Sequence, residues 1–202
     1  MSITGKKRLF EIADRQMGYF TSKQAEECGF SRSNFRLKIQ SGEWVKLQRG
    51  IYKLAHFPVL DRSELVLWVL WSRGRNKEPQ GVWSHATALD IHGLSGIMPS
   101  KMHMTVPVGF RRRVGIPKQL QLHFANIPVL DIEERQGYCV TTPRRTLVDI
   151  IQEGTISTEH IASAIKDALA KGLVNKREMQ EISKWAKSKG LNEVVVIIEK
   201  VM

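Results

Sequence analysis

Residues able to do chemistry are sparse in this chain, and their spacing decides which chemistry is open to them. His85 and His92 stand seven apart with Asp90 nearby, so on a helix they share a face. A metal ion could draw on such a set, but HExxH spacing is absent and no acidic cluster accompanies it. Histidines that cap or sit satisfied in the core are the simpler reading. His103 and His123 fall in two alternating segments, KMHMTVPV and QLQLHF, where cross-strand packing accounts for them. Cys28 and Cys139 stand alone, outside any CxxC, and give neither a disulfide framework nor a zinc site. No P-loop, GxSxG or GxGxxG occurs, so nothing cradles a nucleotide or builds an activated serine. The residues therefore point away from an enzyme, and call for no metal and no cofactor.

Binding chemistry is concentrated instead. From Ser31 to Lys53 the chain carries Arg32, Arg36, Lys38, Lys46, Arg49 and Lys53 against Glu43 alone. The elements that present them read as a winged helix-turn-helix. Thr21 with Gln24 three residues on forms a capping box for a short helix that stops at Gly29. Ser31 offers a second cap, and Ser31 to Gln40 is free of Gly and Pro until Ser41-Gly42. On that second helix Phe35 and Ile39, four apart, are expected to pack inward, while Arg32, Ser33, Arg36 and Gln40 share a solvent face. Leu37 fits neither side. Trp44–Leu47 and Ile51–Leu54 are β-prone runs around Gln48-Arg49-Gly50, where Gly permits a tight reversal. Two helices joined by a short Gly-containing turn, then a basic hairpin, point to double-stranded DNA. The candidate contacts are Arg32, Ser33, Asn34, Arg36, Lys38 and Gln40 in the major groove, with Lys46 and Arg49 on phosphates. Arg36 suits guanine and Gln40 adenine. The alternative is a basic protein-interaction module that holds an acidic partner without DNA.

Composition agrees with a polyanionic partner. The net charge of +11 over 202 residues is uneven: +6 in residues 1–60, +4 in 61–150 and +1 in 151–202. With 42% hydrophobic residues the chain can bury a core, yet no apolar run approaches the 18 or so residues of a membrane span. Met1–Arg8 lacks a signal-peptide hydrophobic stretch, so the expected location is the cytoplasm.

The wider reading is an α/β protein of the α+β kind in two domains: a winged helix over 1–56 and a mixed strand-and-helix domain over 61–202 with a helical tail. Lys6–Met17 repeats Leu9, Phe10, Ala13 and Met17 at helical spacing, and Tyr19-Phe20 can add a third strand to the wing. Pro58 marks the boundary. Beyond it come an all-round apolar helix to Trp71, a Ser84-capped helix to Gly93, and two strands, 101–108 and 119–124, paired across the loop between them. A strand at 138–141 and a helix opened by Pro143 follow. The last fifty residues read as three helices, the third over 191–201 resting on helical spacing against the strand propensity of VVVII. In the 109–118 loop, Arg111, Arg112 and Arg113 with Lys118 form a cluster able to grip phosphates or an acidic partner. Arg144-Arg145 begin a helix, against its dipole, with Asp149 placed to answer Arg145.

Four segments in order, EWVKLQRGIYKL, WSHATALDIHGLS, MHMTVPVG and CVTTPRRTLVDI, resemble the AbiEi family of abortive-infection antitoxins. The resemblance runs from about Lys6 to Ile151, and the second and fourth segments together are its most specific part. It implies a bacterial type IV toxin–antitoxin operon whose toxin is of the nucleotidyltransferase type. It also implies a winged helix that represses the operon at upstream inverted repeats, as a possible dimer on DNA, and a separate domain that neutralises the toxin without a stable complex. The DNA face then falls on Arg32 to Gln40 with Lys46 and Arg49. The part after Ile151 is short beside the fuller family pattern.

Overall fold

The computed structural model describes residues 3–74, 76–112 and 114–202, and its chain forms two compact units. Residues 1–81 and 134–138 make the first; residues 82–133 and 139–202 make the second.

The first unit opens with α1 (Ile3–Arg15), β1 (Tyr19–Thr21), α2 (Ser22–Glu27) and α3 (Arg32–Gln40). A hairpin of β2 (Trp44–Gln48) and β3 (Ile51–Leu54) follows, then α4 (Glu64–Trp71). β1 pairs antiparallel with β3, giving the order β1-β3-β2. Tyr19-Phe20 therefore supply the third wing strand. The capping box at Thr21 is made on both sides, Gln24 N–H to Thr21 Oγ1 and Thr21 N–H to Gln24 Oε1. Ser31 and Ser63 hold N-cap positions without bonding the backbone. α4, which the sequence reading assigns to the second domain, belongs to the first unit and packs against β1 and β3. Its apolar character all round explains this, since only Glu64 and Leu67 of its eight residues escape burial.

Aromatic packing holds this unit together. Trp44 meets Phe20, Phe30, Phe35 and Tyr52 with ring centroids 4.8, 5.0, 5.3 and 6.0 Å away. Leu9, Ala13, Ala25 and Cys28 complete the core from α1 and α2. Ile39, expected inside, lies at the surface: α3 is nine residues long and Phe35 is its only buried side chain.

The second unit runs β4 (Val82–Trp83), α5 (His85–His92), β5 (Met102–Val106), β6 (Leu120–Phe124), β7 (Ile132–Arg135) and β8 (Tyr138–Thr141). α6 (Pro143–Glu153), α7 (Thr158–Ala170), α8 (Lys176–Ser188) and α9 (Asn192–Val201) close the chain. The sheet order is β6-β5-β4-β8-β7, with residues 134–138 at the β7–β8 turn grouped in the first unit. β5 and β6 do pair, but in parallel, so 107–119 is a crossover and not a hairpin loop. The short β4 and β7 carry too little alternation to be read from sequence.

Helices form the second unit's main core. Leu147, Ile150 and Ile151 of α6 meet Ile161 and Ile165 of α7, Met179 and Ile182 of α8, and Val194 and Ile198 of α9. The VVVII segment is helical because that spacing places Val194 and Ile198 on the buried side. Ser157 and Asn175 cap α7 and α8.

Because one indole joins β1, the turn before α3 and α3 itself to the wing, Trp44→Ala is expected to cost about 3–5 kcal/mol. Equilibrium urea unfolding followed by near-UV circular dichroism would read this. A loss under about 1 kcal/mol would place the unit's core elsewhere.

Candidate functional site

α3 is anchored by one residue and exposed on most of the rest. Phe35 sits edge-on to Trp44 and to Tyr52, at 5.3 and 5.4 Å between centroids. That fixes the helix about its axis and leaves Arg32, Ser33, Arg36, Leu37 and Gln40 exposed, with Asn34 half-buried. Ser31 Oγ lies 2.9 Å from Ser33 Oγ, and Arg32 Nε–H donates to Glu26 Oε1. Among the described residues no ion pair engages Arg36. Lys38 is different. Its side chain is only 16% exposed and its Nζ lies 2.6 Å from Glu43 Oε1, which Ser41 Oγ also approaches at 3.2 Å. The hydrogen bond from Lys38 holds the Glu43 carboxyl below the usual range. Lys38 thus closes the turn between α3 and the wing, away from the face it was expected to join.

The wing presents its side chains outward. Of β2 only Trp44 is buried; Val45, Lys46, Leu47 and Gln48 are exposed, as is Arg49 in the turn. A bulge between Lys46 and Gln48 shifts the register against β3 and gives the ribbon an extra residue at its tip. Gly50 takes φ +73°, and its carbonyl accepts from the Ser22 N–H at 3.0 Å, so the turn is tied to the start of α2. A Cβ there would also stand 3.3 Å from Ser22 Oγ. Lys53 is spent locally, its Nζ 5.0 Å from the Tyr19 ring centroid.

The two arginines that begin α6 are committed to carboxylates. Arg145 Nε donates to Asp149 Oδ1 at 2.7 Å and its Nη1 to Asp131 Oδ2 at 3.2 Å, the partner expected from sequence plus a second. Burial pushes the Asp149 carboxyl up against the pull of Arg145. Arg144 pairs with Glu181 at 3.5 Å. In the crossover loop Arg111 is exposed and Arg112 half-buried, with burial lowering its guanidinium. Lys118 is exposed, and Arg113 lies outside the described residues.

A cluster that sequence reasoning left as packing gathers beside β5 and β6. His103 Nδ1 lies 3.0 Å from His123 Nε2, and Glu153 Oε1 at the end of α6 lies 3.9 and 3.8 Å from those same atoms. His85 stacks on His123, 3.6 Å between centroids and 10° between planes. The register pairs Thr105 with His123, so His103 is one strand repeat away on the same face. That diagonal follows from a parallel register which the sequence does not reveal, and nothing in it places Glu153 there. His85 and His92 do not act together. Seven residues of helix separate them by about 10 Å, His85 Nδ1 is 2.9 Å from Ser84 Oγ, and His92 Nε2 is 2.8 Å from the Thr141 carbonyl.

The comparisons decide the family. Residues 7–55 match the family described as a transcriptional regulator, AbiEi antitoxin, and residues 81–197 match the AbiEi antitoxin C-terminal domain. The chain belongs to the AbiEi antitoxin family. The C-terminal match reaches past Ile151 through the helical tail, so the short end beyond α6 still lies within the family's domain. Among curated proteins no match was found. A crystal structure of the RV2827C protein from Mycobacterium tuberculosis is similar over 100% of this chain and 83% of its own, with a TM-score of 0.52 at 16% identity. At that identity the likeness is one of fold. No described helix of this AbiEi protein is long and apolar enough to cross a membrane.

The histidine cluster of the AbiEi C-terminal domain gives a pH dependence with a definite sign. Burial, with His123, His103 and Arg145 facing it, pushes the His85 imidazole down to about 3. Burial also lowers His103 and His123, against the opposing pull of Glu153. A lowered histidine stays neutral in the fold while the unfolded chain takes up its proton below about 6.5. Stability from His85 is therefore complete above pH 6.5 and drains as pH falls towards 3, by up to about 1.4 kcal/mol per pH unit. Urea midpoints measured with a chelator present should fall steadily from pH 7 to pH 4, and His85→Gln should flatten the slope. Parallel slopes for the two proteins would remove His85 as the cause.

Proposed function

We propose that this AbiEi protein is a DNA-binding transcriptional repressor of its own operon and the antitoxin of a type IV pair whose toxin is of the nucleotidyltransferase type. The winged helix over 1–56 is the DNA-binding part, and the second unit, which the C-terminal family match over 81–197 covers, carries the antitoxic role in the cytoplasm. The observation that carries the reading is the unpaired basic edge of a family-matched regulator domain: Arg36 and Gln40 on α3, Lys46 and Arg49 on the wing, all exposed. Arg36 has the fork that guanine O6 and N7 accept, Gln40 the amide that adenine accepts, and exposed Leu37 can meet a thymine methyl. Ser33 and Asn34 at the start of the helix, with Arg32, serve the backbone beside them, and Lys46 and Arg49 grip phosphates that set register. Lys38, paired to Glu43, contributes positioning of the wing.

One recognition helix reads few base pairs, so two copies meet on an inverted repeat upstream of the operon. No stable complex with the toxin is required. The test is a titration against a labelled duplex from the protein's own upstream region, beside a scrambled duplex, at two salt concentrations. The native duplex should be preferred by about a hundredfold or more, with affinity falling steeply as salt rises. Arg36→Ala should relax preference at one base pair by about 1–3 kcal/mol, whereas Lys46→Ala should weaken both duplexes alike. Equal, salt-erased binding to both duplexes would favour a basic surface that meets an acidic protein instead.

A further inference from the structure

His103 Nδ1, His123 Nε2 and Glu153 Oε1 form a triangle with sides of 3.0, 3.8 and 3.9 Å. The circle through three such points has a radius of about 2.1 Å, so one position is equidistant from all three donors at the length of zinc–nitrogen and zinc–carboxylate bonds. All three side chains are 16–18% exposed, enough for an ion to enter and little enough to hold it out of bulk water.

The carboxylate itself has no hydrogen bond to either ring. Its Oε1 stands beyond hydrogen-bond range of both imidazoles, and Oε2 is buried without any hydrogen bond. A carboxylate in that position is costly to bury unless a cation answers it. The surrounding structure meanwhile fixes the rings. Thr87 Oγ1 accepts from the His103 backbone N–H at 2.7 Å, which holds β5 against α5, and the His85 ring lies flat on that of His123. Ser84 Oγ accepts from Thr105 Oγ1 at 2.7 Å, between the strand and the helix that carries His85.

We propose that His103, His123 and Glu153 bind one divalent transition-metal ion of the zinc class. Two imidazole nitrogens and one carboxylate oxygen suit zinc and its neighbours, whereas magnesium and calcium take oxygen ligands. Three protein ligands leave a fourth position for water or a further donor. The ion would tie β5 and β6 to the end of α6, within the domain assigned to toxin neutralisation. The site rests on its own geometry and stands whether or not the protein represses transcription.

The experiment uses the full chain without an affinity tag, stripped with a chelator and then titrated with Zn²⁺ or Mg²⁺ by calorimetry, with thermal melts in parallel. One Zn²⁺ per chain, a raised Tm and no response to Mg²⁺ are expected. Glu153→Gln, which keeps the shape of the side chain, and His123→Gln should each weaken Zn²⁺ binding tenfold or more, while His160→Gln, at an exposed position of α7, should leave it unchanged. If His123→Gln fails to fold, Glu153→Gln alone carries the test. Absence of stoichiometric Zn²⁺ binding, or unchanged affinity in a folded Glu153→Gln protein, would reduce the cluster to a hydrogen-bonded histidine stack and overturn the proposal.

Discussion

Trp44 is the residue on which the winged helix of this protein depends. It begins β2, yet its indole is packed by Phe20 of β1, Phe30 before α3, Phe35 of α3 and Tyr52 of β3. A helix held by one side chain would roll about its axis; Phe35 is prevented from doing so because two rings meet it at steep angles, 69° and 81°. Edge-to-face contacts add specific geometry to the burial of large apolar surface. Rotation of α3 and the setting of the hairpin are consequently one packing problem. The exposed side chains of both elements inherit their placement from it.

The second unit solves a different problem, that of closing a short mixed sheet. Parallel strands cannot be joined by a tight turn, so β5 and β6 spend the 107–119 segment on a crossover. Polar side chains hold together what that arrangement exposes or buries. Arg145 spans Asp131, before β7, and Asp149, one turn further along α6. Thr141 and Thr146 share a 2.7 Å contact at the junction of β8 and α6. Asp167 accepts from the Ser95 N–H, and Lys171 donates to the Gly93 carbonyl, so the end of α5 is pinned to α7. Buried polar groups of this kind are worth little as isolated pairs, but they leave few alternative arrangements once each is satisfied.

How much of this was legible in the sequence follows from the range of each interaction. Caps, turns and helical periodicity act over three or four residues, and the Thr21–Gln24 box, the Gly50 turn and the α9 spacing were all readable. Phe35 is legible because it is the one aromatic residue on a largely polar helix. Ile39 was misplaced because a short helix needs only one anchor, and its second apolar position falls at the rim. Register, by contrast, is set by strands far apart in sequence. The parallel β5–β6 pairing, the diagonal of His103 and His123, and the arrival of Glu153 from α6 have no local mark. The burial of Lys38 was hidden for the same reason, since Glu43 lies beyond the helix end in a turn whose geometry the packing of Trp44 decides.

Charge on its own therefore says less about the proposed DNA face than the fate of each cation. Six basic residues stand between Ser31 and Lys53, but Lys38 is taken by Glu43, Arg32 by Glu26 and Lys53 by the Tyr19 ring. The first two of these differ in kind. Arg32 is 79% exposed on its side chain and its pairing is a surface contact that a phosphate can replace at little cost, whereas Lys38 is largely covered. What remains uncommitted among the described residues is Arg36, Lys46 and Arg49, one on the helix and two on the wing. These three are the exposed cations that the proposed function assigns to an outside anion, and the fold that places the carboxylates is what leaves them free for it.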